Sequence, residues 1–297
     1  MFTKQQIKRK GKQVCFPAKV GFQPPTTLSS DVPVVGARVV PQGLGYVVEV
    51  LYEKTLPPLD VEAPAVRVVG LDLGLDNLIT MVNNIGERPI VVSGRAVKAT
   101  NQWYNKELAR LSSTYTHQNI PTGPQKTIVT LKRKRQIDDW FHKASRFVVD
   151  WCVDHQIDTV VVGRNKNWKQ KINLCRQTNQ EFVSVPFYRL LAKLAYKCRD
   201  AGIRYIEHEE SYTSKCSFLD MELLQDHPTY VGRRIYRGLF RAADGTIINA
   251  DVNGGYNIIR KVIPTAFNHW LTAEGLVDVG RLKTFSGLHP ERFELFI

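Results

Sequence analysis

Between residues 66 and 263 the spacing of apolar residues changes period several times, and that order constrains the fold more than any other property of the chain. VRVVGLDLGLDNLITMVNN (66 to 84) opens as a buried-type strand, passes through turn residues and resumes as a second strand. IVVSG (90 to 94) supplies a third, and strand, turn, strand, turn, strand is how an antiparallel meander begins. From about Lys98 the period turns helical: NQWYNKELARLSS and TIVTLKRKRQIDDWFHKASRFVVDWCVDHQ predict two long helices around a polar loop, STYTHQNIPTGPQ. In the second, Ile137, Phe141, Ala144, Val148, Trp151 and Cys152 recur at helical spacing and predict one buried face. TVVVG (159 to 163) is a strand. Pro186 and Gly202 frame a helix whose apolar stripe is Leu190, Leu191, Leu194 and Cys198. GIRYIEH is a further strand, and DVNGGYNIIRKVI (251 to 263) a final short helix.

Three strands, helices, strand, helix, strand, helix describe an α/β core with a mixed sheet, antiparallel first and parallel after the helical crossovers. That is the strand order expected of an RNase H-like fold. Upstream, the alternating runs ARVV and YVVEVLYE joined by PQGLG predict a hairpin within residues 33 to 53. TLPPLDVEAP (55 to 64) marks a boundary, giving a β-rich region 1–62 before the core region 63–297.

The charge is lopsided: 41 Lys and Arg face 28 Asp and Glu, a formal charge of +13. An excess of that size points to a polyanionic partner, nucleic acid before an anionic membrane. Lys132, Arg133, Lys134 and Arg135 in LKRKRQ, and Arg164, Lys166, Lys169 and Lys171 in RNKNWKQK, form the densest runs. They can neutralise phosphates or simply solvate a face, and Trp168 among them can stack on a base. Trp103, Tyr104, Trp140 and Phe141 read instead as core or hairpin packing. Five cysteines without a CxxC argue against a disulfide framework and against a ribbon-type zinc site. With no apolar run near about 18 residues and no apolar leader in MFTKQQIKRKGKQ, the expectation is a soluble, cytoplasmic protein without a membrane partner.

Four acids stand at ends of core elements: Asp72 inside the first strand, Glu209 and Glu210 at the end of a later one, Asp251 at the start of the last helix. Two-metal nucleases need such hard oxygen ligands from separate elements, converging on two divalent cations. Each acid also has a structural reading. A buried Asp72 without a partner is costly, but Asp251 can be a helix cap, and the glutamates can be surface acids. Asp76, in a turn-like LDN, reads as structural.

GLDLGLDNLIT, NQWYNKELARL, KRKRQIDDWFHKASRFVVD, SYTSKCS and NADVNGGYNIIRK occur in the order found in the TnpB family, which the chain resembles over roughly residues 34 to 263. These are RNA-guided nucleases of insertion sequences, ancestors of type V CRISPR effectors. The resemblance implies a prokaryotic RuvC domain of RNase H-like fold (63–297) with a helical hairpin at 98–156 and a target-nucleic-acid-binding insertion at about 213–248, behind a truncated wedge domain (1–62). It implies two Mg²⁺ (or Mn²⁺) ions, a guide RNA from the element's end and cleavage of double-stranded DNA beside a short adjacent motif. Asp72 matches the first RuvC aspartate and Asp251 the last. Three departures follow. Gly163 stands where the family's middle glutamate is expected, so either Glu209 or Glu210 replaces it or the protein is a nuclease-dead, RNA-guided DNA binder. After YTS the family commonly carries a zinc ribbon; here only Cys216 and His227 remain, so no structural zinc is expected. Leu219, Leu223 and Leu224 would pack that segment, while Arg233, Arg234, Arg237 and Arg241 would meet phosphates. The chain also lacks most of the N-terminal recognition lobe, which RNA, a second copy or another chain would have to replace.

Overall fold

The computed structural model describes residues 1–295 apart from Lys12, Phe22, Thr27, Ser30, Val61, Thr122 and the stretch 165–184. Residues 1–56 and 104–134 form one compact unit, residues 57–103 and 135–297 a second. In the first, β1 (Phe2–Thr3) lies beside a long hairpin, with β2 (Lys8–Lys10) and β3 (Gln13–Cys15) pairing as a separate ribbon. The hairpin joins β4 (Val34–Gln42) to β5 (Gly45–Tyr52) through Gly43 and Leu44, and Gly43 takes the left-handed φ of 62° that the tight turn requires. Ile7, Val14, Phe16 and Ala37 close a small core.

The second unit is built on a six-stranded sheet. The meander is β6 (Val68–Leu73), β7 (Asn77–Asn83) and β8 (Ile90–Ser93), antiparallel throughout. Helices α1 (Arg95–His117) and α2 (Pro124–Asp154) follow. Next come β9 (Thr159–Arg164), α3 (Phe187–Asp200) and β10 (Arg204–Glu209), with β9 parallel to β6 and β10 parallel to β9. The mixed sheet expected from the periodicity is therefore present, with the strand order of an RNase H-like fold. Val69, Leu71, Leu73, Val160 and Val162 face a core shared with Phe141, Ala144, Val148, Leu190 and Leu194 of the long helices. Each fully buried aliphatic side chain of this kind contributes about 1.5–3 kcal/mol.

Two expectations change. α1 does not end before STYTH but runs to His117. The hydroxyls of Ser112, Thr114 and Thr116 donate to the carbonyls four residues back (2.7, 3.1 and 3.0 Å), so polar residues there continue the helix instead of breaking it. Tyr115, buried, donates to Gln125 Oε1 at 2.7 Å and ties the two helices at their turn. The sheet also gains a sixth strand, β14 (Glu291–Phe293), parallel to β8. Phe293 stacks on Phe147 of α2 at 4.0 Å between ring centres.

Residues 213–248 contain an antiparallel meander, β11 (Arg233–Tyr236), β12 (Leu239–Arg241) and β13 (Ile247–Asn249). Phe218, Leu219, Phe240, Ala242 and Ile248 pack it. Leu223, expected to help, is 68% exposed. Buried Glu222 does more: its two carboxylate oxygens accept from the amides of Ser217 and Val231, both at 2.8 Å, and so close the loop between them. Cys216 donates its thiol to Leu223 O at 3.2 Å, and His227 Nε2 lies 2.8 Å from the same carbonyl. The helix α4 (Ala250–Val262) follows, then α5 (Val279–Thr284). Among the described residues no helix is long and apolar enough to cross a membrane.

Candidate active site

Side chains alternate along a strand, so Val68, Gly70 and Asp72 turn away from the helical-hairpin core and toward α4. Gly70 lets that helix settle on the strand: a Cβ there would lie 2.6 Å from Ile259 Cγ1 and 2.8 Å from the Gly255 carbonyl. Asp72 Oδ2 comes within 3.2 Å of the position a Cβ on Gly254 would take. The first acid and α4 are thus brought face to face by the two glycines of NGG and the one before LDL. Asp251 is not the helix cap. Asn249 fills that role, accepting from the amides of Asp251 and Val252 at 3.0 and 3.1 Å. The Asp251 carboxylate instead accepts from Asn77 Nδ2 at 2.7 Å and stands 3.7 Å from the Arg234 guanidinium.

The two glutamates part company at the end of β10. Glu209 turns to α4, where Lys261 Nζ meets it at 3.1 Å and the Ser211 amide and hydroxyl donate to it at 2.9 and 2.5 Å. Glu210 goes elsewhere, to the space beside Ile258 of α4. A Cβ placed on Gly163 would sit 2.7 Å from Glu210 Oε2, so this carboxylate fills the room above the neighbouring strand where a side chain at 163 would emerge. Arg164, the next residue, pairs with Glu207 at 3.0 Å.

The electrostatics group the same three acids. Burial pushes the Asp72 carboxyl well above its ordinary value, and the negative charges of Glu210 and then Asp251 push it further, with Arg234 opposing. Glu209 is the contrast: burial disfavours its charge, but the bonds from Ser211 and Lys261 outweigh that and hold it below the usual range. Asp76 behaves like Glu209. Its burial is outweighed by Lys98 at 3.0 Å and Arg237 at 2.5 Å, in keeping with a structural role. A cleft of about 410 Å³ is lined by Asp72, Asp76, Asn77, Asp251, Arg234, Arg237 and Arg292. Arg292 reaches it from β14 and donates to Asn77 Oδ1 at 3.1 Å.

Among the described residues no three His, Cys, Asp or Glu side chains form a preformed metal-ligand cluster. The donor set nevertheless fits a hard divalent cation. The carboxylates of Glu210 and Asp251 bear on the Asp72 carboxyl, an arrangement that a bound cation relieves and that Mg²⁺, keeping several waters, tolerates with few protein ligands.

The basic residues scatter. Lys132 and Arg135 are exposed and Lys134 half-buried, and Arg133 lies over the Tyr104 ring at 4.9 Å. Lys132, Arg133 and Lys134 belong to the first unit, Arg135 to the second. Lys166, Trp168, Lys169 and Lys171 lie outside the described residues. Arg233 and Arg234, exposed on β11, line a second cavity of about 530 Å³ with Lys215 and Tyr230. Trp140 and Phe141 are buried, whereas Trp103 is 37% exposed. Nothing in the sequence singled out Asn77, Lys261 or Arg292: the first two lie inside the motifs quoted above without standing out, and each is brought near the acids by strand pairing or by helix phase.

A mixed sheet in this order, with an acid inside its first strand and another in the first turn of α4, has the strand order of an RNase H-like fold. Residues 47–169 match the family model OrfB_IS605, a probable transposase, and residues 187–258 match the Cas12f1-like TNB domain. Both matches are consistent with a protein of the TnpB family. Two solved structures are similar. A "Cas12f1-sgRNA-target DNA complex" aligns over 85% of this chain and 64% of that one, at 15% identity and a TM-score of 0.49. A "CRISPR-Cas12f Ternary Complex" aligns over 77% and 46%, at 14% identity and the same TM-score. The chain therefore spans less than two thirds of either protein. No curated protein sequence matches it.

Proposed function

We propose that this protein is an RNA-guided DNA endonuclease that hydrolyses phosphodiesters next to a short adjacent motif, with Asp72, Glu210 and Asp251 as its metal-binding carboxylates. One observation carries the reading: Glu210 Oε2 fills the space over Gly163 while its charge reaches Asp72. A carboxylate lost from one strand is thereby supplied from the end of the next. Glu209, engaged by Lys261, stands outside the set.

Bound Mg²⁺ would supply Lewis acidity, lowering the pKa of the attacking water and neutralising charge on the phosphodiester. The chain's own residues do the rest. Asp72, Glu210 and Asp251 hold the cations; Asn77 fixes the rotamer of Asp251 through its amide. Arg234, Arg237 and Arg292 line the cleft and hold phosphates of the strand being cut. Region 1–62 acts as the wedge, and Lys132, Arg133, Lys134 and Arg135 meet guide or target backbone.

The test uses the protein purified with its co-expressed RNA, motif-flanked plasmid and Mg²⁺. Cleavage that disappears in Asp72→Ala and Glu210→Ala but survives in Glu209→Ala supports the assignment. Tight, guide-dependent binding without nicking under any divalent cation replaces it with a binding protein that acts by occupancy.

A further inference from the structure

The chain has moved a carboxylate from a strand interior to the first residue beyond a strand end, where a backbone is ordinarily least fixed. Something has to hold Glu210 toward Asp72, and α4 presents the means on one face. Asn253, Asn257 and Lys261 are spaced by four, so they form a ridge along the helix. All three reach the segment that follows β10. Asn253 Nδ2 donates to Cys216 O at 2.9 Å, and its Oδ1 accepts from the Phe218 amide at 2.9 Å. Asn257 Nδ2 donates to Thr213 O at 2.9 Å and to Cys216 O at 2.8 Å. Lys261 Nζ donates to Ser211 O and Ser211 Oγ, both at 3.0 Å, as well as to Glu209 at 3.1 Å.

Glu210 sits between the last two rungs. Its carbonyl accepts from the Thr213 amide and hydroxyl at 3.2 and 2.8 Å, and Thr213 is in turn held by Asn257. Lys261 fixes the residues on either side of it, Glu209 by charge and Ser211 through its backbone carbonyl. With Glu209 and Ser211 both held by Lys261, the backbone between them is fixed, and the Glu210 carboxylate reaches over Gly163. Asp251 rides on the same helix, so one rigid element sets both ends of the acid set.

We propose that Lys261 is a positioning residue for Glu210, acting with Asn253 and Asn257 as a ladder that makes the relocated carboxylate a metal ligand. The proposal rests on the reading of Glu210 given above and adds the device that makes the relocation work. Lys261 touches neither substrate nor metal; it acts through Glu210.

The experiment measures Mn²⁺ binding to the RNA-bound protein by titration calorimetry and by the loss of free-Mn²⁺ electron paramagnetic resonance signal. Lys261→Met is expected to weaken Mn²⁺ about 10-fold, the lower end for loss of a group that orients a metal ligand, and Lys261→Arg to restore most of it. In a Glu210→Gln background Lys261→Met should change nothing further, an outcome that a general loss of structure would not give. Without metal, amide exchange over residues 209–214 should rise at least several-fold in Lys261→Met while the β6–β7 amides stay protected. Wild-type affinity in Lys261→Met overturns the proposal. So does an equal loss in the Glu210→Gln background, or unchanged exchange at 209–214. A wild type that binds Mn²⁺ but does not cut defeats the nuclease reading and leaves this one standing. One that binds no Mn²⁺ defeats both.

Discussion

Asp72 shows how a single residue can weaken a fold in order to serve a site. Its folded pKa is raised above the ordinary 3.8 by burial and then by Glu210 and Asp251, so the native state binds the proton more tightly than the unfolded chain. Stability therefore falls as pH climbs from the unfolded value through the raised one, and the full penalty is present above the raised one. Asp72→Asn should accordingly raise the metal-free melting temperature by a few degrees at pH 7, at about 2–4 °C per kcal/mol for a domain of this size. The gain should shrink toward zero below the unfolded pKa, where both side chains are neutral, and divalent cations should narrow it at pH 7; scanning calorimetry across pH checks this. Gly163 is the matching case of a residue defined by what it lacks. A Cβ at that position would lie 2.5 Å from Ile258 Cδ1 as well as against Glu210. Gly163→Ala is thus expected to cost about 1–3 kcal/mol by overpacking and to lower cleavage together with stability, measured by denaturant melts and plasmid assays.

Among the elements, the insertion at 213–248 carries its own support. Glu222 bridges Ser217 and Val231, and Arg260 of α4 donates to the Glu222 carbonyl. Replacing Glu222 with Ala leaves two amides without their acceptor, at about 1.5–3 kcal/mol for hydrogen bonds to a charged group. Proteolysis should then open between residues 217 and 231 before the sheet unfolds, and limited chymotrypsin digestion followed by mass spectrometry reads that directly. This support was illegible beforehand: a lone Glu in LDMELLQ carries no pattern, and the apolar Leu223 beside it, which did draw notice, points to solvent. The core strands and helices were legible because their apolar spacing is long and regular. The helical tip through His117 was not, since Ser and Thr signal a loop until their hydroxyls are seen to bond back along the helix.

In the whole molecule, residues after α5 belong to the unit that carries the sheet. β14 extends the sheet, Phe293 stacks on Phe147, and Arg292 reaches the acid-lined cleft through Asn77. Arg292→Ala is expected to reduce cleavage about 10-fold or more with little change in melting temperature, because a charge-assisted phosphate contact is lost from an exposed side chain; single-turnover cleavage beside a thermal melt separates the two effects. The excess of 13 positive charges predicts nucleic-acid affinity that falls linearly in log–log form with salt. Filter binding from low to physiological salt gives the slope, and a flat response counts against a phosphate-binding surface. By itself the sequence determined the order of strands and helices and the acids at their ends, since periodicity and burial of apolar side chains are local properties written along the chain. Only the tertiary structure decided which glutamate faces Asp72, that Asn249 frees Asp251 from capping, that Arg292 lines the acid-bearing cleft and that Lys261 pairs with Glu209. Those outcomes depend on which strands pair and how closely a glycine-bearing helix can approach them, and neither is encoded within any one segment.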